Sequence, residues 1–277
     1  MGDATGGSGV ALVTDERGGV TVVQDGVPQS YVRLDDPELL AFEYVQHFGL
    51  VIDALPPGPV AVTHVGGGGL TLPRWVAVTR PGSPQIVLEP DAALTEVVRR
   101  ELPLPRGHRI RVRPVDGASG VAALRDASAD VVVVDAYERG RVPAELVSPT
   151  FLTDVRRVLR PDGVLLLNIA DEPRRRHVAR VIATVLESGF PAVLMIATFE
   201  VLKGRRFGNT VVAASPTALD VESISRGVSR LPLPTGMRQE PFLRRFIAGS
   251  KPFTDNGADT DAVRSPQPPD PGTWRAV

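Results

Sequence analysis

A run of four glycines, Gly66-Gly67-Gly68-Gly69, closes a short apolar stretch, Val60-Ala61-Val62-Thr63-His64-Val65. A second apolar stretch, Gln85-Ile86-Val87-Leu88, ends in Glu89. Glycines after a strand let a ligand approach the backbone, and an acid at the tip of the next strand can accept hydrogen bonds from both hydroxyls of a ribose. Glu89 stands 89−66 = 23 positions past the first glycine, near the ~20 expected when both serve one nucleoside. Two further apolar stretches end in acids, one at Asp116-Gly117 and one at Asp135. Asp116 precedes a short helix and has a second reading as its cap. Asp135 directly follows Val131-Val132-Val133-Val134. An unpaired acid there is costly unless it serves a ligand or a buried partner, and in a cleft it can act as a general base.

Strands and helices must alternate to bring these ends together. The pattern predicts strand 60–65, helix 71–79, strand 85–89, helix 91–102, strand 109–115, helix 118–125, strand 130–135, helix 150–159, strand 164–169 and helix 173–188. The strands are apolar on both faces, which suits a parallel sheet covered by helices on each side. Ligands of such sheets bind beyond the carboxyl ends of the strands, where Asn168 and Asp171 also fall. Two last strands, Pro191 to Val201 and Thr210 to Ala214, flank Lys203-Gly204-Arg205-Arg206-Phe207-Gly208 and read as an antiparallel hairpin at one sheet edge. The fold class is therefore α/β, a doubly wound, mainly parallel sheet with a terminal antiparallel hairpin.

Ahead of this core, 19–23 and 29–33 flank Asp25-Gly26, a hairpin turn signal. A two-stranded unit cannot bury a face alone, so it must pack on its own core or on another subunit. A helix follows, with Asp36 as N-cap, Pro37 at its first position, and Leu40, Tyr44, Phe48 and Val51 at helical spacing. The organisation expected is a disordered N-terminus (1–18), a β-hairpin (19–35), the core (36–250) and a disordered tail (251–277).

The chain of 277 residues has a net charge of −1 and 43% hydrophobic residues. That balance offers no global field for nucleic acid or anionic membranes. Without cysteine, disulfides and thiolate metal sites are excluded, and the four histidines have no metal-ligand spacing. No apolar run reaches the ~18 residues of a membrane span, and residues 1–20 lack a signal peptide's apolar core. The expectation is a cytoplasmic protein without nucleic-acid or membrane partners. Arg174-Arg175-Arg176 reads as a solvated helix start, and Lys203, Arg205 and Arg206 as turn residues.

The closing hairpin, together with the glycine loop and ribose acid, resembles the class I S-adenosylmethionine-dependent methyltransferase fold. Within it, residues 19–215 resemble the spermidine synthases, or polyamine aminopropyltransferases. Val23-Gln24-Asp25-Gly26-Val27-Pro28-Gln29 fits that family's L-D-G-x-x-Q, with Gln24 for the leucine. Phe42-Glu43-Tyr44-Val45-Gln46-His47 fits F-x-Y-x-E-M, with Gln46 for the glutamate. G-G-G-D-G-G becomes Gly66 to Thr71, E-I-D becomes Glu89-Pro90-Asp91, G-D-G becomes Val115-Asp116-Gly117, and D-S-S-D becomes Asp135-Ala136-Tyr137-Glu138. Gly69 thus stands where the family keeps an aspartate that helps hold the donor's aminopropyl end.

The resemblance implies an aminopropyltransferase that moves an aminopropyl group from decarboxylated S-adenosylmethionine to a small-molecule amine. Asp135 would be the base, with Tyr44 and Glu138 assisting. Gly66, Gly67, Gly68, Gly69, Glu89, Asp116 and Gly117 would hold the nucleoside, with no metal, in a homodimer or higher homo-oligomer. The departures keep two alternatives open: an S-adenosylmethionine-dependent methyltransferase, and a catalytically decayed nucleoside-binding homologue. Arg74 is either a cation for the donor's tail or a solvated helix residue.

Overall fold

The computed structural model describes residues 9–255 and 265–269. The described residues form two sheets. In chain order the elements are β1 (Val10–Thr14), β2 (Val20–Gln24), β3 (Val27–Val32), α1 (Glu43–Asp53), β4 (Val62–Val65), α2 (Thr71–Thr79), β5 (Gln85–Leu88), α3 (Ala92–Glu101), β6 (Ile110–Arg113) and α4 (Gly117–Ala122). There follow β7 (Ala129–Val134), α5 (Pro149–Val158), β8 (Leu159–Asp171), α6 (Arg176–Glu187), β9 (Ala192–Thr198), α7 (Phe199–Leu202), β10 (Gly208–Ser215), α8 (Val221–Val228), β11 (Thr235–Arg238) and α9 (Phe242–Phe246). The large sheet has eight strands in the order β11-β9-β10-β8-β7-β4-β5-β6. Strands β6, β5, β4, β7 and β8 run parallel, and β10 lies antiparallel between β8 and β9. The doubly wound α/β class with a terminal antiparallel pair is the observed architecture.

Apolar composition on both strand faces explains the layering. Val131, Val132, Val133 and Val134 are all at most 2% exposed. Val132 and Val134 join the cluster beneath α5 and α6, while Val131 and Val133 join the one beneath α1 and α2. Each such side chain contributes ~1.5–3 kcal/mol on burial, so strand β7 is pinned from both sides. The register then aligns the strand ends. Leu88 pairs with Val65, Val65 with Val134, and Val134 with Leu167. Glu89, Gly66, Asp135 and Asn168 are therefore the first residues beyond one continuous row.

The small sheet has three strands, not two. Val10–Thr14 falls in the N-terminal stretch expected to be disordered, but it pairs antiparallel with β2. Val10 and Leu12, two apart, face the core and carry the strand pattern; residues 1–8 of that stretch lie outside the described residues. The sheet packs on its own core, where Val22 and Val32 meet Leu70, Val87 and Leu94.

Helix α1 begins at Glu43 rather than at Asp36. Asp36 and Pro37 form a turn instead, closed by the Leu39 N–H to the Asp36 carbonyl at 3.1 Å. Gln46 then donates to the Leu40 carbonyl at 2.7 Å, holding the extended lead-in to the helix. The strand expected to run to Val201 ends at Thr198, where α7 starts, and β11 covers β9, so the antiparallel pair does not itself form the edge. The turn expected at Arg160 to Gly163 is a bulge within β8. The five steps from Leu159 to Val164 face only two in β7, from Ala129 to Val131.

Parts of the tail expected to be disordered pack on the core. The Phe253 ring lies 5.4 Å from that of His177, and its N–H donates to the Thr184 hydroxyl. Ser265 is 1% exposed, and its hydroxyl accepts the Val142 N–H at 2.8 Å. Residues 256–264 and 270–277 lie outside the described residues. Among the described residues, no helix is long and apolar enough to cross a membrane.

Candidate active site

Gly66 opens the glycine loop with a φ of +96°, and a Cβ there would sit 2.2 Å from the Asp135 carbonyl oxygen. Only glycine permits this turn between adjacent strand ends. The Gly67 N–H donates to Glu89 Oε2 at 2.8 Å, while the Asp91 N–H donates to Glu89 Oε1 at 2.9 Å. Two backbone donors thus fix the carboxylate, which keeps lone pairs for further hydroxyl donors. Asp91 in turn caps α3 through Leu94 and accepts from Gln24 Nε2, tying the small sheet to this network.

Further along the loop, the Gly69 N–H donates to the Ser30 hydroxyl at 2.8 Å. A Cβ on Gly69 would come within 3.1 Å of Ser30, Val32 and Val22. This glycine therefore faces the small sheet. Arg74, read as a donor-tail cation or a solvated residue, is neither. It is 2% exposed and donates to the carbonyls of Gly69, Leu102 and Pro103. Desolvation lowers its pKa to about 10.

Asp135 has the chemistry of a base. Burial raises its pKa to about 6, while hydrogen bonds from Asn168 and Tyr44 pull it back down. Asn168 Nδ2 donates to Asp135 Oδ1 at 3.0 Å, and its own Oδ1 is buried without a partner. Tyr137 braces the same strand end: its hydroxyl donates to the Asn168 carbonyl and accepts the Ala170 N–H. Tyr44 packs edge-on against Phe48, with ring centroids 5.9 Å apart. Desolvation first, then the Asp135 charge, holds its phenol pKa well above 10. The phenol thus stays protonated and donates.

These groups share a solvent-open cleft, lined by Ser30, Tyr44, His64, Gly66, Gly67 and Asp135 among others. His64 is buried, with its pKa lowered to about 4 by desolvation. Gln85 Nε2 donates to the Pro73 carbonyl, so its Oε1 faces His64 Nε2 at 2.9 Å. That arrangement assigns the imidazole proton to Nε2 and leaves Nδ1 as an acceptor.

The sequence-based candidates thus separate. Tyr44, Gly66, Gly67 and Asp135 meet at the cleft, and Glu89 touches it through Gly67. Gly68 and Gly69 lean on Ser30 rather than lining the cleft. Asp116 is exposed and caps α4 through the Ser119 N–H, a hydrogen bond that lowers its pKa. Gly117 permits close packing, since a Cβ would lie 2.3 Å from a Val65 methyl. Glu138 is not brought to the cluster. It is exposed in a tight turn closed by paired backbone bonds with Arg141. Ser30 and His64 enter the site without having been singled out for it, and Asn168 joins it from the strand end where the sequence placed it. Asn168 alone had a signal, as a polar residue after an apolar strand.

No protein-family model matches the chain. A polyamine aminopropyltransferase from Neisseria meningitidis serogroup A is 25% identical over 241 residues, covering 82% of this chain and 83% of the relative. A probable spermidine synthase from Corynebacterium glutamicum superposes with a TM-score of 0.83 at 28% identity, over 89% of this chain and 92% of that one. The chain is similar to the spermidine synthases in sequence and in fold. A spermidine synthase solved with the transition-state analogue AdoDATO shares the fold alone, at a TM-score of 0.59 and 16% identity over 89% of this chain and 82% of that one. Asp135, at the end of β7, and Tyr44, on α1, line the same cleft.

Proposed function

We propose that the chain transfers an aminopropyl group from decarboxylated S-adenosylmethionine to an amine, with Asp135 as general base. The observation that carries this reading is the half-buried Asp135 carboxylate, hydrogen-bonded by Asn168, in one cleft with the Tyr44 phenol and directly beside Gly66 of the glycine loop. Glu89 would accept from the ribose hydroxyls, Gly66 and Gly67 would frame the sugar, and Asp116 would face the base. Glu89 and Asp135 are two strands apart, about 10 Å across the sheet, so one bound nucleoside spans them.

In this reading the amine's lone pair attacks the methylene carbon beside the sulfonium. The C–S bond breaks, methylthioadenosine leaves with the bonding electrons, and the proton lost by the amine passes to Asp135. A base with a pKa near 6 is ionised at neutral pH yet close enough to it to exchange protons readily. The sulfonium is a good leaving group, so in-line alignment does most of the remaining work. Glu138, exposed on its turn, receives no step.

A second reading is methyl transfer from S-adenosylmethionine. Gly69 does not separate the two, because its position faces the small sheet and both donors carry an ammonium. Calorimetry with methylthioadenosine, S-adenosylmethionine and its decarboxylated form separates these readings. Binding of the decarboxylated form with methylthioadenosine supports the proposal. Preference for the carboxylated form supports methyl transfer. Failure of all three at millimolar concentration identifies a decayed homologue.

A further inference from the structure

Two basic runs, far apart in sequence, converge where β8 ends and β10 begins. The β8–α6 loop carries Arg174 and Arg175, with Arg176 opening α6, and the α7–β10 loop carries Lys203, Arg205 and Arg206. Asp171, the last residue of β8, pairs with Gly208, the first of β10, so both loops leave the sheet at the same point. They touch there: a Cβ on Gly204 would lie 2.6 Å from the Pro173 carbonyl oxygen. The join begins three residues past Asn168 along β8, about 10 Å from the residue that holds the Asp135 carboxylate.

The charges at this join are not balanced. Arg205 pairs with Glu200 at 3.0 Å. Arg174, Arg175, Arg176, Lys203 and Arg206 make no ion pair among the described residues. Asp171 does not neutralise them by hydrogen bonding, because its two oxygens accept the Glu172 and Val178 N–H groups. Arg175 Nε and Nη1 have no hydrogen-bond partner, and its guanidinium lies 4.8 Å from the Phe246 ring centroid. Glu172 is the one exposed acid within the first loop. In a chain of net charge −1, this local excess would repel a dication that approaches Asp135 along β8.

We propose that the amine acceptor carries an acidic group, carboxylate or phosphate, at the end remote from its nitrogen, and that this rim of cations receives it. The proposal deepens the transfer reading above and rests on it for the position of the nitrogen. The acid would pair with cations of this rim that make no ion pair among the described residues, while the nitrogen enters the cleft toward Asp135.

The test uses acceptors matched in length. Putrescine, 4-aminobutyrate and 3-aminopropyl phosphate differ only in the end remote from the reacting nitrogen. Each is titrated calorimetrically into the full chain, with and without methylthioadenosine. The expected result is about tenfold tighter binding of the two acids than of putrescine. The triple variant Arg174→Ser, Arg176→Ser, Arg206→Ser should lose that preference while binding methylthioadenosine as before. The two acidic probes distinguish a carboxylate from a phosphate acceptor. Putrescine binding as tightly as the acids overturns the proposal, as does a triple variant that keeps the preference, or no binding by any of the three. Tight, salt-sensitive binding of a single-stranded oligonucleotide without discrimination among the amines makes the rim a nucleic-acid surface instead. Loss of methylthioadenosine binding with the acid preference intact defeats the transfer reading and not this one.

Discussion

The Ser30 hydroxyl accepts the Gly69 N–H at 2.8 Å, joining strand β3 to the glycine loop across 39 residues of sequence. The contact shows why a glycine occupies the position at which the resembled family carries an aspartate. A side chain there would drive into Val22, Val32 and Ser30 rather than into the cleft. The Gly69→Asp variant should therefore lose stability by about 1–3 kcal/mol through overpacking, without tighter binding of the decarboxylated donor. Urea denaturation and calorimetry on the same protein check both halves.

Asp135→Asn should abolish transfer while leaving methylthioadenosine binding within about twofold, since the base acts on the acceptor. In the wild type the rate should rise with pH through about 6 as the carboxylate ionises. Product formation by mass spectrometry over a pH series measures both. A variant as active as wild type removes Asp135 from the mechanism.

Asn168→Leu takes away a hydrogen bond that lowers the Asp135 pKa. The midpoint of the pH–rate profile should move upward by about 0.5–1 pH unit, the worth of one such bond. A carbon-detected NMR titration of the Asp135 carboxyl reads the same change without turnover.

The raised pKa values of Asp135 and Asp171, both about 6 against 3.8, have a defined sign for stability. Between the unfolded and folded values the native state holds the extra protons, so stability is greatest below about 4 for these two groups and declines as pH rises to about 6. Asp135→Asn should flatten that decline by about 1–3 kcal/mol. Denaturation midpoints across this range provide the measurement.

Ser265→Ala removes the acceptor of the buried Val142 N–H. The cost should be about 1–3 kcal/mol, the usual penalty for an orphaned buried donor. Faster amide exchange at Val142 localises the loss to the loop that follows Asp135.

Much of the site was legible because single-strand patterns carried it. Four valines before Asp135, and β-branched residues before Gly66, imply two-sided burial and hence aligned parallel strand ends. The acids at those ends follow directly. The start of α1 misled because Asp36-Pro37 is a good helix opening locally, yet it closes only a single turn, and the helix starts at Glu43. Arg74 could not be read, since the three carbonyls that consume it belong to the glycine loop and to the end of α3. Ser30 and Asn168 act through partners 39 and 33 positions away, and no local spacing encodes such pairs.

The Val142–Ser265 bond also orders events during synthesis. The loop beyond the base lies 123 residues upstream of the hydroxyl that satisfies it. At about 5–20 residues per second on the ribosome, that loop waits several seconds with a bare amide. The glycine loop, Glu89 and the small sheet can already be assembled in that interval. Nucleoside-binding competence should therefore precede closure of the acceptor side on the nascent chain.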